Sequence, residues 1–293
     1  MNLALAVMQI VAPVFGLALI GFLWVRAGWA YDTTFVTRLA MTLAVPCLIF
    51  VALMEAEIDP GALRDLTLAA LAAYAAVIAL FWALVAALGL DRRTWLAPLA
   101  FGNTGNLGLP LALFAFGEVG LTLAVVVFAV MAVLSFTVGV WFVAGGGTPA
   151  RALREPMVGA TILGALFLWF GIATPPALTE TLRLVGQMAI PLMLITLGVA
   201  VARLRPEGLA RPAALSAVKV AVCALAAWGA AALFDLPEVA RAVLVLQVAT
   251  PAAVTSYLLA AKYGADADAV AGLVVVSTVM SVAALPVLLG ILL

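Results

Sequence analysis

Apolar runs of about twenty residues follow one another along nearly the whole chain, with short connections between them. A run of that length spans the hydrocarbon of a bilayer at the helical rise of about 1.5 Å per residue. Inside a bilayer each backbone N–H and C=O must be paired within the protein, so only helices and closed barrels can cross it. Barrel strands would read as short alternating segments, and the chain shows none. It therefore reads as an all-α integral membrane protein. Ten spans can be placed, at roughly 3–25, 35–54, 66–90, 96–117, 120–143, 157–173, 178–201, 213–234, 241–262 and 270–292. Composition agrees: 67% of residues are hydrophobic and 10% charged, where soluble domains carry about a quarter charged. The first run reaches Val25 with no Lys or Arg ahead of it, so it is read as a span and not as a cleaved signal peptide.

Several function classes fall away on residue types alone. Histidine is absent and the two cysteines, Cys47 and Cys223, lie inside apolar runs. His-based triads, His-ligated metals and a disulfide framework are excluded, and both cysteines are expected to be buried packing residues. No Asp or Glu lies deep in a span, so paired-carboxylate chemistry is not expected and the chain is not read as an enzyme. Formal net charge is zero with no basic or acidic tail, so nucleic acid is not an expected partner. A channel would need a continuous polar lining, whereas the polar residues here gather near mid-span.

The two halves of the chain resemble each other. Phe22-Leu23-Trp24 answers to Phe167-Leu168-Trp169, Arg38-Leu39 with Val45-Pro46 to Arg183-Leu184 with Ile190-Pro191, and Ala86-Ala87-Leu88 to Ala231-Ala232-Leu233, all at an offset of 145. One such match is cheap in an Ala/Leu-rich chain; three in order at one offset indicate a duplication. The units are 1–143 and 157–293, joined by the loop 144–156. Five spans per unit is an odd number, so the second unit enters the membrane upside down, the inverted-repeat plan of secondary transporters. Lys and Arg set the orientation. With the N-terminus outside, Arg26, Arg38, Arg92, Arg93, Arg151, Arg154, Arg203, Arg205, Arg211 and Lys262 fall inside, and Arg64, Arg183 and Arg241 fall outside. Both termini are thus expected on the non-cytoplasmic side of a plasma (inner) membrane. Arg38 and Arg183 are expected to anchor helix ends, and Trp24, Trp29, Trp95 and Trp141 to sit in the interfacial belt.

Candidate chemistry concentrates where two spans are interrupted. Span four contains Phe101-Gly102-Asn103-Thr104-Gly105-Asn106-Leu107-Gly108-Leu109-Pro110. Broken helix survives at membrane depth only where it is buried in protein or lines a cavity. Pro110 suits the first turn of a restarted half-helix, whose N-terminus would offer unpaired N–H groups and partial positive charge to an anion. Span nine has its own break in Gln247-Val248-Ala249-Thr250-Pro251, followed by Thr255 and Ser256. There Thr250 reads as an N-cap and Pro251 as the first helical residue. Matched interruptions in two inverted repeats point to a substrate site. Lys219 is the one ionisable residue placed well inside a span, as a fixed positive charge facing the substrate or at a cation position. Pro46 and Pro191 mark a shared bend that lines the cavity or serves packing. Gln187 and Gln247 are polar at depth.

At these positions the chain also resembles a known family. Gly102-Asn103-Thr104-Gly105-Asn106-Leu107-Gly108-Leu109-Pro110-Leu111 is similar to the span-four signature of the auxin efflux carrier family. Ala44-Val45-Pro46, Ala261-Lys262-Tyr263-Gly264, Ser277-Thr278 and Leu285-Pro286 resemble the same family, so the similarity runs over essentially the whole chain. The resemblance implies ten helices in which spans four and nine are broken and cross, as in sodium/proton antiporters and bile-acid symporters. It implies a scaffold domain of spans 1, 2, 6 and 7 that forms a homodimer, and a transport domain of spans 3–5 and 8–10. Asn103 and Pro110 match the plant carriers' crossover asparagine and proline, and Asn106 follows the bacterial pattern. The implied activity is secondary active or facilitative transport of a small mono- or dicarboxylate, such as malonate, malate or an auxin-like aromatic acid. The alternative is a sodium-coupled symporter of an amphipathic, bile-acid-like anion. No cofactor is expected; coupling to Na+ or H+ and any metal site stay open.

Overall fold

The computed structural model describes residues 3–55, 60–146, 156–203 and 210–292, except for the side chains of residues 3–11, 14, 60, 106, 197, 200 and 258. Among the described residues the fold is all helix, and the sole sheet-like contact is an isolated antiparallel bridge between Gly102 and Ala252. Six helices among the described residues are long and apolar enough to cross a membrane: Thr33–Met54, Gly61–Ala87, Leu109–Val143, Pro176–Thr196, Ala210–Leu233 and Ala267–Leu292. In detail the elements are α1 (Leu3–Arg26), α2 (Thr33–Leu39), α3 (Val45–Met54), α4 (Pro60–Ala87), α5 (Arg92–Ala100), α6 (Leu109–Leu134) and α7 (Val140–Val143). Then come α8 (Pro156–Phe170), α9 (Pro176–Gln187), α10 (Ala189–Ala202), α11 (Ala210–Leu233), α12 (Glu238–Val248), α13 (Val254–Tyr263) and α14 (Ala267–Leu292). Arg151, Arg154, Arg205, Glu57 and Asp59 lie outside the described residues.

α6 is not one straight rod. Gly117 inside it has φ 67° and ψ −160°, a conformation open mainly to glycine. A Cβ built on Gly120 would overlap Phe116 and lie 2.6 Å from the Ala112 carbonyl oxygen. Eight residues along a continuous helix lie about 12 Å apart, so the chain folds back at Gly117. A short helix, 109–116, is followed by a second one running the other way.

Small residues let the long helices approach closely, as they must where no water drives association. α1 packs along α10 and α3 along α8. A Cβ on Gly21 would collide with the Ile195 carbonyl, one on Gly198 with the Ala18 carbonyl, and one on Gly164 would lie 3.2 Å from the Phe50 carbonyl. α4 pairs with α11, which also touches α12 and α14. The faces left outside are apolar: Trp169 is 83% exposed and Leu233 76%. Contiguous apolar surface of this kind is rare on water-soluble monomers and is what lipid requires. Trp24, Trp29 and Trp141 are exposed as a belt requires, but Trp95 is buried; it belongs to α5, whose residues Thr94–Ala100 are enclosed in the helix bundle.

The start of α5 is tied off by side chains. Asp91 caps α5, accepting from the backbone N–H groups of Arg93 (3.3 Å) and Thr94 (3.0 Å) and from the Thr94 hydroxyl (2.6 Å). Arg93 then donates to the Val143 and Tyr263 carbonyls at the ends of α7 and α13. Partial burial pushes the Asp91 carboxyl up, but the Thr94 hydroxyl, the two N–H groups and the Arg93 charge together hold it below its usual value. Its cap is therefore in place above the ordinary carboxylate pKa and is lost as pH falls through the lowered one. Asp91→Ala is expected to cost about 1 kcal/mol, and Asp91→Asn much less. Thermal melts of the purified protein above and below pH 4 check this, and both variants should be less pH-sensitive in acid than wild type. On α9, Arg183 pairs with Glu55 (2.7 Å) and Glu180 (3.4 Å), half-exposed pairs that contribute little.

Candidate functional site

The site is built where two broken helices meet. α5 ends at Ala100, and Phe101, Gly102 and Asn103 leave helical geometry before a π-type turn over Thr104–Gly108 leads into α6. α12 ends at Val248, and helix resumes at Val254 after an extended stretch. The two interruptions touch: the Asn103 N–H donates to the Pro251 carbonyl at 2.7 Å, beside the Gly102–Ala252 bridge. The Ala252 N–H is taken by Ser277 Oγ of α14 at 3.1 Å. Backbone groups that helix breaking would orphan in hydrocarbon are thus paired across the crossing. Glycine is needed for the approach, since a Cβ on Gly102 would fall on Thr250 Oγ1 and one on Gly108 on the Gln247 amide.

The breaks differ in detail from the sequence reading. Helix restarts at Thr104, ahead of Pro110. The Asn103 carbonyl accepts from Leu107 (3.1 Å) and Gly108 (3.3 Å), and Pro110 sits in the first turn of α6. Gly105 and Gly108 let the chain begin turning early, and the wide turn carries it into a proline that has no N–H to place. Thr250 is not an N-cap. Its hydroxyl donates to the Gln247 carbonyl at 2.7 Å, closing the end of α12, and Ala253 precedes α13 without a side-chain cap. Pro251 belongs to the extended crossing, where its carbonyl is the acceptor for Asn103.

The N-terminal ends of both half-helices open on one cavity of ≈ 40 Å³, lined by Gly102, Asn103, Gly105, Ala253 and Thr255. At about 10–15 Å³ for each water-sized group, that volume takes some three heavy atoms, the size of a carboxylate. The N–H groups of Thr104 and Gly105 precede the first intrahelical donor of their helix, Leu107, and those of Val254 and Thr255 precede Ser256 in theirs. Asn103 is buried, and its Nδ2 has no partner within the protein. The remaining wall is apolar and includes Met41, Met131, Met157, Met193, Phe128 and Phe136, with Ser135 as a further polar residue. Met41, Gly105, Ser135 and Phe136 belong to the three π-type turns, 40–44, 104–108 and 135–139. Such turns recur at functional sites because they displace side chains from helical register.

Other residues singled out in the sequence surround the cavity without lining it. Thr104, Gln247 and Ser256 are buried, and Thr104 Oγ1 and both Gln247 amide atoms have no partner within the protein. Pro46 and Pro191 follow breaks in helical bonding, and their neighbours Val45, Leu48, Ile190 and Met193 form the wall opposite the crossing. The Asn106 side chain lies outside the described residues. Gln187 is exposed and takes no part in the cavity. Cys223 is buried and Cys47 half-buried. Lys219 is fully buried, its Nζ donating to the Leu99 carbonyl at 2.7 Å in the last turn of α5. It does not reach an interface. The methionines of the wall carried no signal in the sequence, because Met in an apolar span reads as packing; Ser135 and Thr137 at mid-span were the available clue.

The family model of membrane transport proteins, the auxin efflux carrier family, matches residues 6–147 and 145–289. The chain belongs to this family. A protein of Methanothermobacter thermautotrophicus described as an uncharacterized transporter is 27% identical over 269 residues, covering 87% of each chain. A membrane transporter is thus the established class.

Proposed function

We propose that the protein is a secondary carrier of a small organic anion, holding the carboxylate on the half-helix N-termini at the crossing. The observation that carries this is the shared cavity onto which 103–105 and 253–255 both open. A helix terminus contributes about 0.3–1 kcal/mol to an anion, up to ~2 where partly buried, too little by itself to offset a carboxylate's desolvation. Directed hydrogen bonds to charge are worth about 1.5–3 kcal/mol each, and Asn103 Nδ2 with the leading N–H groups supplies the donors.

Ten passes follow if α5 through 116, 118–143, α9 with α10, and α12 with α13 each cross once. Two features support an inverted repeat. α1 pairs with α10 and α3 with α8, exchanging halves. The Phe50 and Ile195 carbonyls, 145 residues apart, each receive a glycine of the partner helix, Gly164 and Gly21. In the proposed cycle α4–α7 and α11–α14 carry the crossing past a dimeric scaffold of α1–α3 and α8–α10 in the inner membrane, with both termini outside. Thr104, Gly105, Asn106, Pro110, Gln247, Thr250, Pro251, Thr255, Ser256, Pro46, Pro191 and Lys219 shape or support the site around Asn103.

A thermal-shift panel of mono- and dicarboxylates, followed by flux into liposomes, tests this. At least one carboxylate should raise the melting point and show saturable uptake. Unsaturable flux would mean a channel, and flux that requires sodium would mean a symporter.

A further inference from the structure

We infer that Lys219 is a resident counter-cation: its ammonium closes the negative end of half-helix α5, a place that a small monovalent cation can take when the side chain is shortened. The two C-terminal helix ends at the crossing are closed differently. α12 is closed by a neutral hydroxyl, Thr250 Oγ1 on the Gln247 carbonyl; α5 is closed by Lys219 Nζ on the Leu99 carbonyl. Among the described residues Lys219 is the one charged side chain that is buried, so no carboxylate of the described chain balances it from within. A buried charge without compensation is strongly unfavourable. The α5 terminus supplies roughly half a negative charge, and an anion across Gly102–Asn103 supplies the rest.

The repeat sharpens the assignment. Residue 219 minus the offset of 145 is Tyr74. Tyr74 on α4 is also fully buried, its ring is stacked on Phe101 at 6.1 Å, and its hydroxyl has no partner within the protein. Both members of the related pair therefore bear on the end of α5, one with a charge and one with an open hydroxyl. Shortening Lys219 leaves a pocket bounded by the Leu99 carbonyl and the Lys219 backbone, with no other buried cationic side chain among the described residues to fill it. The charge balance and the flux arm of the test rest on the anion reading above; the melting arm does not.

The test uses the full chain, purified and in liposomes, as wild type, Lys219→Ala and Lys219→Met, with methylammonium chloride against choline chloride. Lys219→Ala should melt lower than wild type in choline, rise saturably with methylammonium, and regain carboxylate flux with it. Wild type should respond to neither salt. Lys219→Met keeps the bulk without the charge; it should fold, lose flux and ignore methylammonium. Wild-type flux in Lys219→Met, equal responses of Lys219→Ala and wild type to methylammonium, or failure to recover Lys219→Ala in methylammonium while Lys219→Met folds would each overturn the assignment. If no carboxylate protects the wild type, the anion reading fails, and the methylammonium shift of Lys219→Ala is still readable.

Discussion

Asn103→Ala is expected to weaken carboxylate protection and flux sharply while leaving the ligand-free protein as stable as wild type or more so. The two effects separate because of what Asn103 does and does not touch. Its backbone holds the crossing, through the N–H to Pro251 and the carbonyl to Leu107 and Gly108, and alanine keeps both. Its side chain caps nothing: no cap hydrogen bond is made at the start of the 104–108 turn, and Nδ2 is buried without a partner. A structural N-cap would cost about 0.5–2 kcal/mol on truncation. An unpaired buried donor instead carries a desolvation penalty of about 1–3 kcal/mol that alanine relieves. With a carboxylate bound, the lost bond to charge is worth about 1.5–3 kcal/mol, on the order of ten- to a hundredfold in affinity. Asn103→Asp should be worse, since it sets a like charge beside the substrate. Melting curves with and without ligand, with liposome flux, decide it. A destabilised Asn103→Ala that still transports would assign the side chain to the fold.

The sequence carried the all-helical, membrane-spanning character of the chain and the two places where helix breaks, because both are written in composition. A charge-poor run of twenty residues has few alternatives, and Gly-Asn-Thr-Gly-Asn at mid-span cannot continue as a membrane helix unaided. The local chemistry of the breaks was less legible. Thr250-Pro251 reads as cap and first turn by propensity, yet the contact with Asn103 takes the Pro251 carbonyl and moves the restart to Val254. That contact joins residues about 150 apart in sequence, and propensity rules see only neighbours. Trp95 failed for a similar reason: closeness to a span end suggests an interface, but the short α5 is enclosed by other helices. Lys219 was legible as an anomaly only. Its partner is a backbone carbonyl, which no side-chain pattern can announce.

Gly102→Ala is expected to be the more damaging of the two added methyl groups at the crossing, and its neighbour Gly108 shows why. At Gly102 the new Cβ would overlap Thr250 Oγ1, lie 3.0 Å from the Thr250 carbonyl oxygen and 3.3 Å from its Cβ. Rotating Thr250 clears the hydroxyl but not the backbone oxygen, so the second break must retreat. Retreat stretches the 2.7 Å bond from Asn103 N–H to the Pro251 carbonyl, adding about 1–3 kcal/mol for each orphaned group to an overpacking cost of about 1–3 kcal/mol. At Gly108 the Cβ meets only the amide end of Gln247, whose two polar atoms have no hydrogen bond within the protein to lose. The expected order of melting points is Gly102→Ala lowest, then Gly102→Ala with Thr250→Ala, then Gly108→Ala, with Gly108→Ala/Gln247→Ala closest to wild type. Partial rescue in the first pair and near-complete rescue in the second distinguish a backbone collision from a side-chain one. A Gly102→Ala protein that melts and transports like wild type would mean that the two half-helices are not held together at Gly102–Ala252, and that the cavity does not depend on their contact.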